Sequence, residues 1–215
     1  MAVLVSTSAT GPFEPWSDGP VTPVDQACLD GTLHIDPRGV PWLVYSRGPE
    51  GAVDGRAGIA DGEMYALQLS ADLRTSVGEP HLLFTASSAD WSEPLRFPEG
   101  VEPPGDLNLP RDPRFTDGPF LVRSHGEPLL MLWSSHGKNG YTLGLATSAS
   151  GIITGPWVQQ AEPLWAGDGG HGMIPHTSSN RSCLVFHSPN GTPNERVTLL
   201  DIEVGANGIR ILTNS

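Results

Sequence analysis

Cysteines, basic residues, long apolar runs and helical periodicity are all scarce in this chain, and each scarcity removes a class of protein. Two cysteines, Cys28 and Cys183, stand among 215 residues without a CxxC pair. No disulfide framework is written there; both read as small buried apolar residues, and a reducing, cytoplasmic compartment is the expectation. Lysine and arginine number 12 against 24 acidic residues, a formal net charge of −12. An acidic chain without a basic cluster lacks the electrostatic footprint for nucleic acid or an anionic membrane surface, whereas neutral ligands stay open. Runs such as PWLVY, HLLF, PLLMLW and CLVF are far too short to span a bilayer. The opening MAVLVSTSATGPF has no basic segment followed by a long apolar one, so it does not read as a signal peptide.

What is abundant is punctuation: 26 glycines and 21 prolines. Between them lie short stretches rich in β-branched and aromatic residues, the pattern of an all-β chain with many turns. One hairpin pattern occurs three times, as LDGTLHIDPRGVPWLVYSR (29–47), TDGPFLVRSHGEPLLMLWSS (116–135) and GHGMIPHTSSNRSCLVFHS (170–188). An alternating strand follows each, at 62–70, 141–148 and 196–203, and a fourth segment closes each unit, at 78–84, 155–165 and 208–212. Four strands per repeated unit predict the blades of a β-propeller. The first unit carries long insertions, RGPEGAVDGRAGIADG and the Pro-rich loop 86–114. AVLVSTSATGPFEPW (2–16) matches LGLATSASGIITGPW (143–157), so the chain reads as a single partial propeller over 1–215 that begins inside a blade, with uncovered edges.

The first strand of each blade lines a propeller's central channel. Aligned on the glycine that follows each, Asp30, Asp117 and His171 open three successive first strands and converge near the axis. Asp-Gly is also a plain turn pair, and an isolated histidine is more often structural than functional. Three acid or imidazole groups at one repeat position are the stronger signal. Two carboxyls facing across a cavity suit glycoside hydrolysis, one protonating the leaving oxygen while another activates water. Convergent carboxylates also raise one another's pKa, which keeps a donor protonated near neutral pH.

CLDGTLHIDPRGVPWLVYS, TDGPFLVRSHGEPLLMLWSS with GYTLGLATSASGIITGPW, and DGGHGMI with LVFHSPN together resemble successive blades of glycoside hydrolase family 43, over essentially the whole chain. The resemblance implies a five-bladed propeller of which roughly the last three and a half blades are present, the first blade and part of the second being absent. It implies an inverting glycosidase for arabinose- or xylose-containing glycans, with carbohydrate as its partner. Asp30 matches the family's pKa-tuning Asp, Asp117 stands where the family places its acidic Glu, and His171 matches an axial His that holds water or a cation such as Ca2+. No cofactor is otherwise required. The family's base belongs to the first blade, so this chain by itself is expected to be inactive or weakly active. Asp117 is one methylene shorter than Glu, and an inverting pair needs about 6.5–9.5 Å between carboxyls; Glu63 is the second candidate for the acid. The alternative is a glycan-binding propeller without chemistry; no WD or kelch signature supports an interaction propeller. Trp91, in SADWSEPL, and His187 and Asn190, in HSPN, sit at loop positions suited to a sugar platform. Trp42, Trp133 and Trp157 read as core, whereas Trp16 and Trp165 stay open.

Overall fold

The computed structural model describes residues 1–50, 58–97, 100–101, 109–123, 128–175, 182–205 and 208–212. Much of the two expected insertions and of the hairpin turns at 124–127 and 176–181 lies outside the described residues. Three four-stranded antiparallel meanders carry the chain. The first comprises β3 (Leu29–Ile35), β4 (Pro41–Arg47), β5 (Glu63–Leu69) and β6 (Ser76–Thr85). The second comprises β7 (Asp117–Arg123), β8 (Leu129–Gly137), β9 (Gly140–Ser148) and β10 (Val158–Gln159). The third comprises β11 (Gly170–Met173), β12 (Cys183–His187), β13 (Val197–Gly205) and β14 (Gly208–Ile211). Ahead of them, β1 (Leu4–Val5) pairs with β2 (Glu14–Pro15).

The three sheets are propeller blades stacked face on face. Val44, Met64 and Ala66 of the first pack on Leu129, Met131, Trp133 and Ala146 of the second. On the other face of the second, Leu130, Leu132, Leu143 and Leu145 meet Leu184, Phe186 and Ile202 of the third. The middle blade is therefore covered on both sides. That is why β8 reads PLLMLW without polar alternation, as a strand buried on both faces must. β7 lies beside both β3 and β11, so the first strands of the blades line one channel.

Met1, Val3 and Val21 cover Leu43, Tyr45, Leu67 and Leu69 on the remaining face of the first blade. The β1–β2 corner repeats the β9–β10 corner, and Gly11 and Gly155 take positive φ of 81° and 89° at the matching point of the turn. The outward face of the third blade leaves Met173, Val197 and Leu199 exposed at 48%, 72% and 63%. The segment expected to form a strand over 155–165 pairs only at Val158–Gln159 and rejoins β9 at Trp165. Pro156 and Pro163 lack the N–H that a longer ladder needs.

Candidate active site

Each channel-lining strand enters through the same irregularity. Register slips by one residue between Leu29 and Thr32, between Asp117 and Phe120, and between Gly170 and Met173. In each bulge the second residue takes a positive φ: Asp30 at 55°, Gly118 at 51° and His171 at 55°. Asp and His tolerate that region better than most side chains, and glycine occupies it freely. The structural repeat is thus Asp30, Gly118 and His171, and Asp117 sits one residue earlier, level with Leu29 and Gly170. The expected equivalence of Asp30, Asp117 and His171 is corrected by one position. Alignment on the following glycine hid the offset, because the glycine of Thr-Asp-Gly-Pro is itself the positive-φ residue.

The offset brings the two aspartates together instead of arranging them by symmetry. Asp30 Oδ2 accepts the Gly118 amide at 3.1 Å. Asp117 Oδ2 accepts the Tyr141 hydroxyl at 2.9 Å. Burial first, then the charges of Glu50 and Asp30, push the Asp117 carboxyl up to about 8, against the smaller opposing effect of the Tyr141 hydrogen bond. Burial and the nearby Asp117 likewise push the Tyr141 phenol up, so it remains a donor. Asp117 therefore keeps its proton to a higher pH than an ordinary aspartate, with Oδ2 held by Tyr141.

Tyr141 is fixed on several sides. Its amide donates to Asp168 Oδ1 at 3.1 Å, and its ring stacks on His187 with centroids 5.5 Å apart. His187 Nε2 meets Asn190 Oδ1 at 2.8 Å, and the Asn190 amide donates to Asp168 Oδ2 at 3.2 Å. His187 and Asn190, predicted as loop groups of a sugar pocket, are joined to the acid through this brace. His171 is exposed, its amide donates to Ser134 Oγ at 2.8 Å, and its ring lies on Gly118. Among the described residues no group of three His, Cys, Asp or Glu side chains is close enough to hold a metal ion. These side chains alone do not fit the axial cation considered for His171, and no step below runs through one.

The backbone of Gly118 has no room for a side chain. A Cβ there would stand 2.7 Å from Cγ and Cδ2 of His171, on a residue whose φ already disfavours one. Gly118→Ala is expected to cost about 1–3 kcal/mol from the backbone alone, read as a lower melting temperature in calorimetry. An unchanged melting temperature would show that the bulge relaxes.

Two further expectations are corrected. Trp91 is not an exposed platform: it is 9% exposed and packs on Trp133 with centroids 4.7 Å apart, inside the first inter-blade core. Its polar neighbours in sequence gave no sign of partners that arrive from β8 and β9. Glu63 does not join the aspartates. Its carboxylate turns to the Tyr65 side of β5, where the Tyr65 hydroxyl donates at 3.0 Å and Arg47 pairs at 3.2 Å. Trp42 and Trp133 are buried as read from the sequence, and Trp157 packs on the same core. Of the two left open, Trp165 packs on Phe186, and Trp16 lies under the Arg74 guanidinium. Tyr141, Asp168, Ser134 and Glu50 were not foreseen. Tyr141, Asp168 and Glu50 belong to one blade or one loop, so no repeat pointed to them, whereas Ser134 is repeated as Ser46 opposite Leu29.

The sequence model described as Glycosyl hydrolases family 43 matches residues 1–209. The crystal structure of endo-arabinase from Bacteroides thetaiotaomicron VPI-5482 superposes with a TM-score of 0.79 at 38% identity, covering 94% of this chain and 66% of that one. A thermostable family-43 glycoside hydrolase shares the fold at 20% identity and a TM-score of 0.76, over 100% of this chain and 66% of its own. So does an endo-1,4-beta-xylanase from the same Bacteroides strain, at 21% identity and 0.72, over 99% and 67%. The chain thus spans about two thirds of the length of these relatives. No curated protein matches it in sequence.

Proposed function

The chain belongs to glycosyl hydrolases family 43, and from that premise we propose that it carries the proton-donating side of an inverting glycosidase site for arabinose- or xylose-containing glycans. Asp117 gives its proton to the glycosidic oxygen as the bond to the sugar breaks. Asp30, whose charge helps keep that proton in place, stabilises the positive charge that develops on the sugar ring. The carrying observation is the Asp117 carboxyl raised to about 8 with Oδ2 held by Tyr141. A carboxyl so placed matches what a general acid must be near neutral pH: protonated, oriented and close to a second carboxylate. The arabinan and xylan preference draws support from the two Bacteroides relatives, an endo-arabinase and an endo-1,4-beta-xylanase.

The test uses the purified chain with arabino- and xylo-oligosaccharides, calorimetry for binding and proton NMR for the anomer first released. Saturable binding that Asp30→Ala abolishes is the expected result, with only slow release of the inverted anomer, because no second carboxyl named here activates water. Binding without release identifies a glycan-binding propeller and removes the catalytic part of the reading. Absence of both overturns it whole.

A further inference from the structure

The polar contacts around Tyr141 converge on one carboxyl, Asp168, which the proton-donor scheme above does not use. Asp168 stands in the loop before β11 at a φ of 55°, a conformation that aspartate tolerates better than most residues. From there its two oxygens accept two backbone amides, that of Tyr141 at 3.1 Å and that of Asn190 at 3.2 Å. Its own carbonyl accepts the Ser188 hydroxyl at 2.9 Å, and the next amide, that of Gly169, donates to the Tyr141 carbonyl at 2.8 Å. Room for the carboxyl comes from Gly140 at the β8–β9 turn, where a Cβ would stand 2.7 Å from Asp168 Oδ1.

These contacts close a circuit. It runs from Asp168 to the Asn190 amide, from Asn190 Oδ1 to His187 Nε2 at 2.8 Å, and from the His187 ring to the Tyr141 ring, stacked at 17°. Tyr141 is thereby gripped at its backbone and at its ring, and its hydroxyl holds Asp117 Oδ2. Hydrogen bonds weaken steeply with distance and angle, so a hydroxyl at the tip of a side chain is only as well placed as the backbone behind it. The titratable groups facing Tyr141 are Asp117 on β7, His136 on β8, His187 on β12, Asp168 itself and, through its charge, Asp30 on β3.

We propose that Asp168 is a positioning residue for the proton donor: by fixing the Tyr141 backbone against the His187–Asn190 loop, it sets the hydroxyl that orients the Asp117 carboxyl. The acid and the HSPN loop thus hang on one side chain. The inference rests on the reading of Asp117 as the donor.

Carbon-13 NMR titration of the carboxyl groups tests it on the whole chain, without requiring turnover. The Tyr141 hydroxyl favours the ionised form of Asp117, so losing it raises the Asp117 midpoint. Tyr141→Phe is expected to raise it by about 0.5–1 pH unit, the scale of one hydrogen bond. Asp168→Ala, with the hydroxyl present but no longer held, is expected to move it in the same direction. In the double variant the midpoint should equal that of Tyr141→Phe alone, because no hydroxyl is left to misplace. A purely structural role would lower the melting temperature and leave the midpoint in place, and removing a nearby carboxyl charge would lower the midpoint. An unchanged or lowered midpoint in Asp168→Ala therefore overturns the proposal, as does full additivity in the double variant. Where the alanine chain does not fold, Asp168→Asn decides. It suits the same φ and keeps one acceptor oxygen, so its midpoint should rise by less, and an unchanged one overturns the proposal. An ordinary aspartate midpoint for Asp117 in the unsubstituted chain would remove the donor reading and the role of Asp168 with it, whereas a raised midpoint indifferent to position 168 removes only the latter.

Discussion

Asp117→Asn is expected to raise the melting temperature of the chain at alkaline pH while lowering glycoside turnover about 10²–10⁴-fold, the usual contribution of general acid catalysis. The stability effect follows from where the proton sits. An ordinary aspartate loses its proton near 3.8, whereas in the fold Asp117 keeps it to about 8. Between those values the native chain binds a proton that the unfolded chain has released, so stability falls as pH rises through that window and levels off above it. Asparagine carries no such proton and can still accept the Tyr141 hydroxyl. The two chains should therefore melt together near pH 4, diverge up to about pH 8 and keep a constant difference above it. Asp117 is only partly covered, and solvent screening reduces the full linkage value to about 2 kcal/mol. At about 2–4 °C per kcal/mol for a chain of this size, that is about 4–8 °C. Calorimetry across this pH range checks it. Parallel melting curves at every pH would show that Asp117 ionises normally and is not the acid. Turnover, where measured, should be lost most severely with poor leaving groups, which depend on the donated proton.

Trp91→Ala is expected to cost about 3–5 kcal/mol, the range for deleting a large aromatic from a core, and so to lower the melting temperature by about 10 °C. The indole fills the space between the first two blades against Trp133 and Phe84, with Gly144 on β9 directly beneath its benzo edge. A Cβ at 144 would also stand 2.8 Å from Cε2 and Cη2 of that ring. Gly144→Ala alone must therefore push the ring out of its seat, at a cost of about 1–3 kcal/mol or more. The informative variant is the double one. With Trp91 already alanine, the methyl at 144 meets empty space, so the second substitution should cost little and the cycle should show strong coupling. Thermal melts of the four proteins decide it. A Trp91→Ala chain that melts normally but no longer binds oligosaccharide would return Trp91 to the surface role that its polar sequence neighbours suggest.

The blades were legible because each one repeats the same alternation of turn and strand. A repeated pattern is a stronger signal than any of its copies, as the weak β1–β2 corner shows: AVLVSTSATGPFEPW was readable only against LGLATSASGIITGPW. Site residues on the repeat were legible to within one position. Asp30 and His171 share the positive-φ seat, and Asp117 does not. The error arose because glycine marks two things at once, a residue that follows a polar group and a residue that itself takes positive φ. Groups outside the repeat were not legible. Tyr141 reaches Asp117 from β9 of the same blade, and Asp168 holds the Tyr141 amide from the loop before β11. Trp91 failed for the converse reason. Its surroundings in sequence are polar, and only distant glycine and tryptophan residues make it a core residue.

The bulge at the head of each channel strand offers two adjacent seats that look in different directions. A carboxyl in the second seat, as at Asp30, receives the amide of the neighbouring blade; moved back one residue, as at Asp117, it is held by Tyr141 and keeps its proton to higher pH. Repetition makes identical parts, yet acid chemistry needs unlike ones. Here a shift of one residue along the same scaffold is enough to turn one copy of a motif into a proton's host and another into its guard.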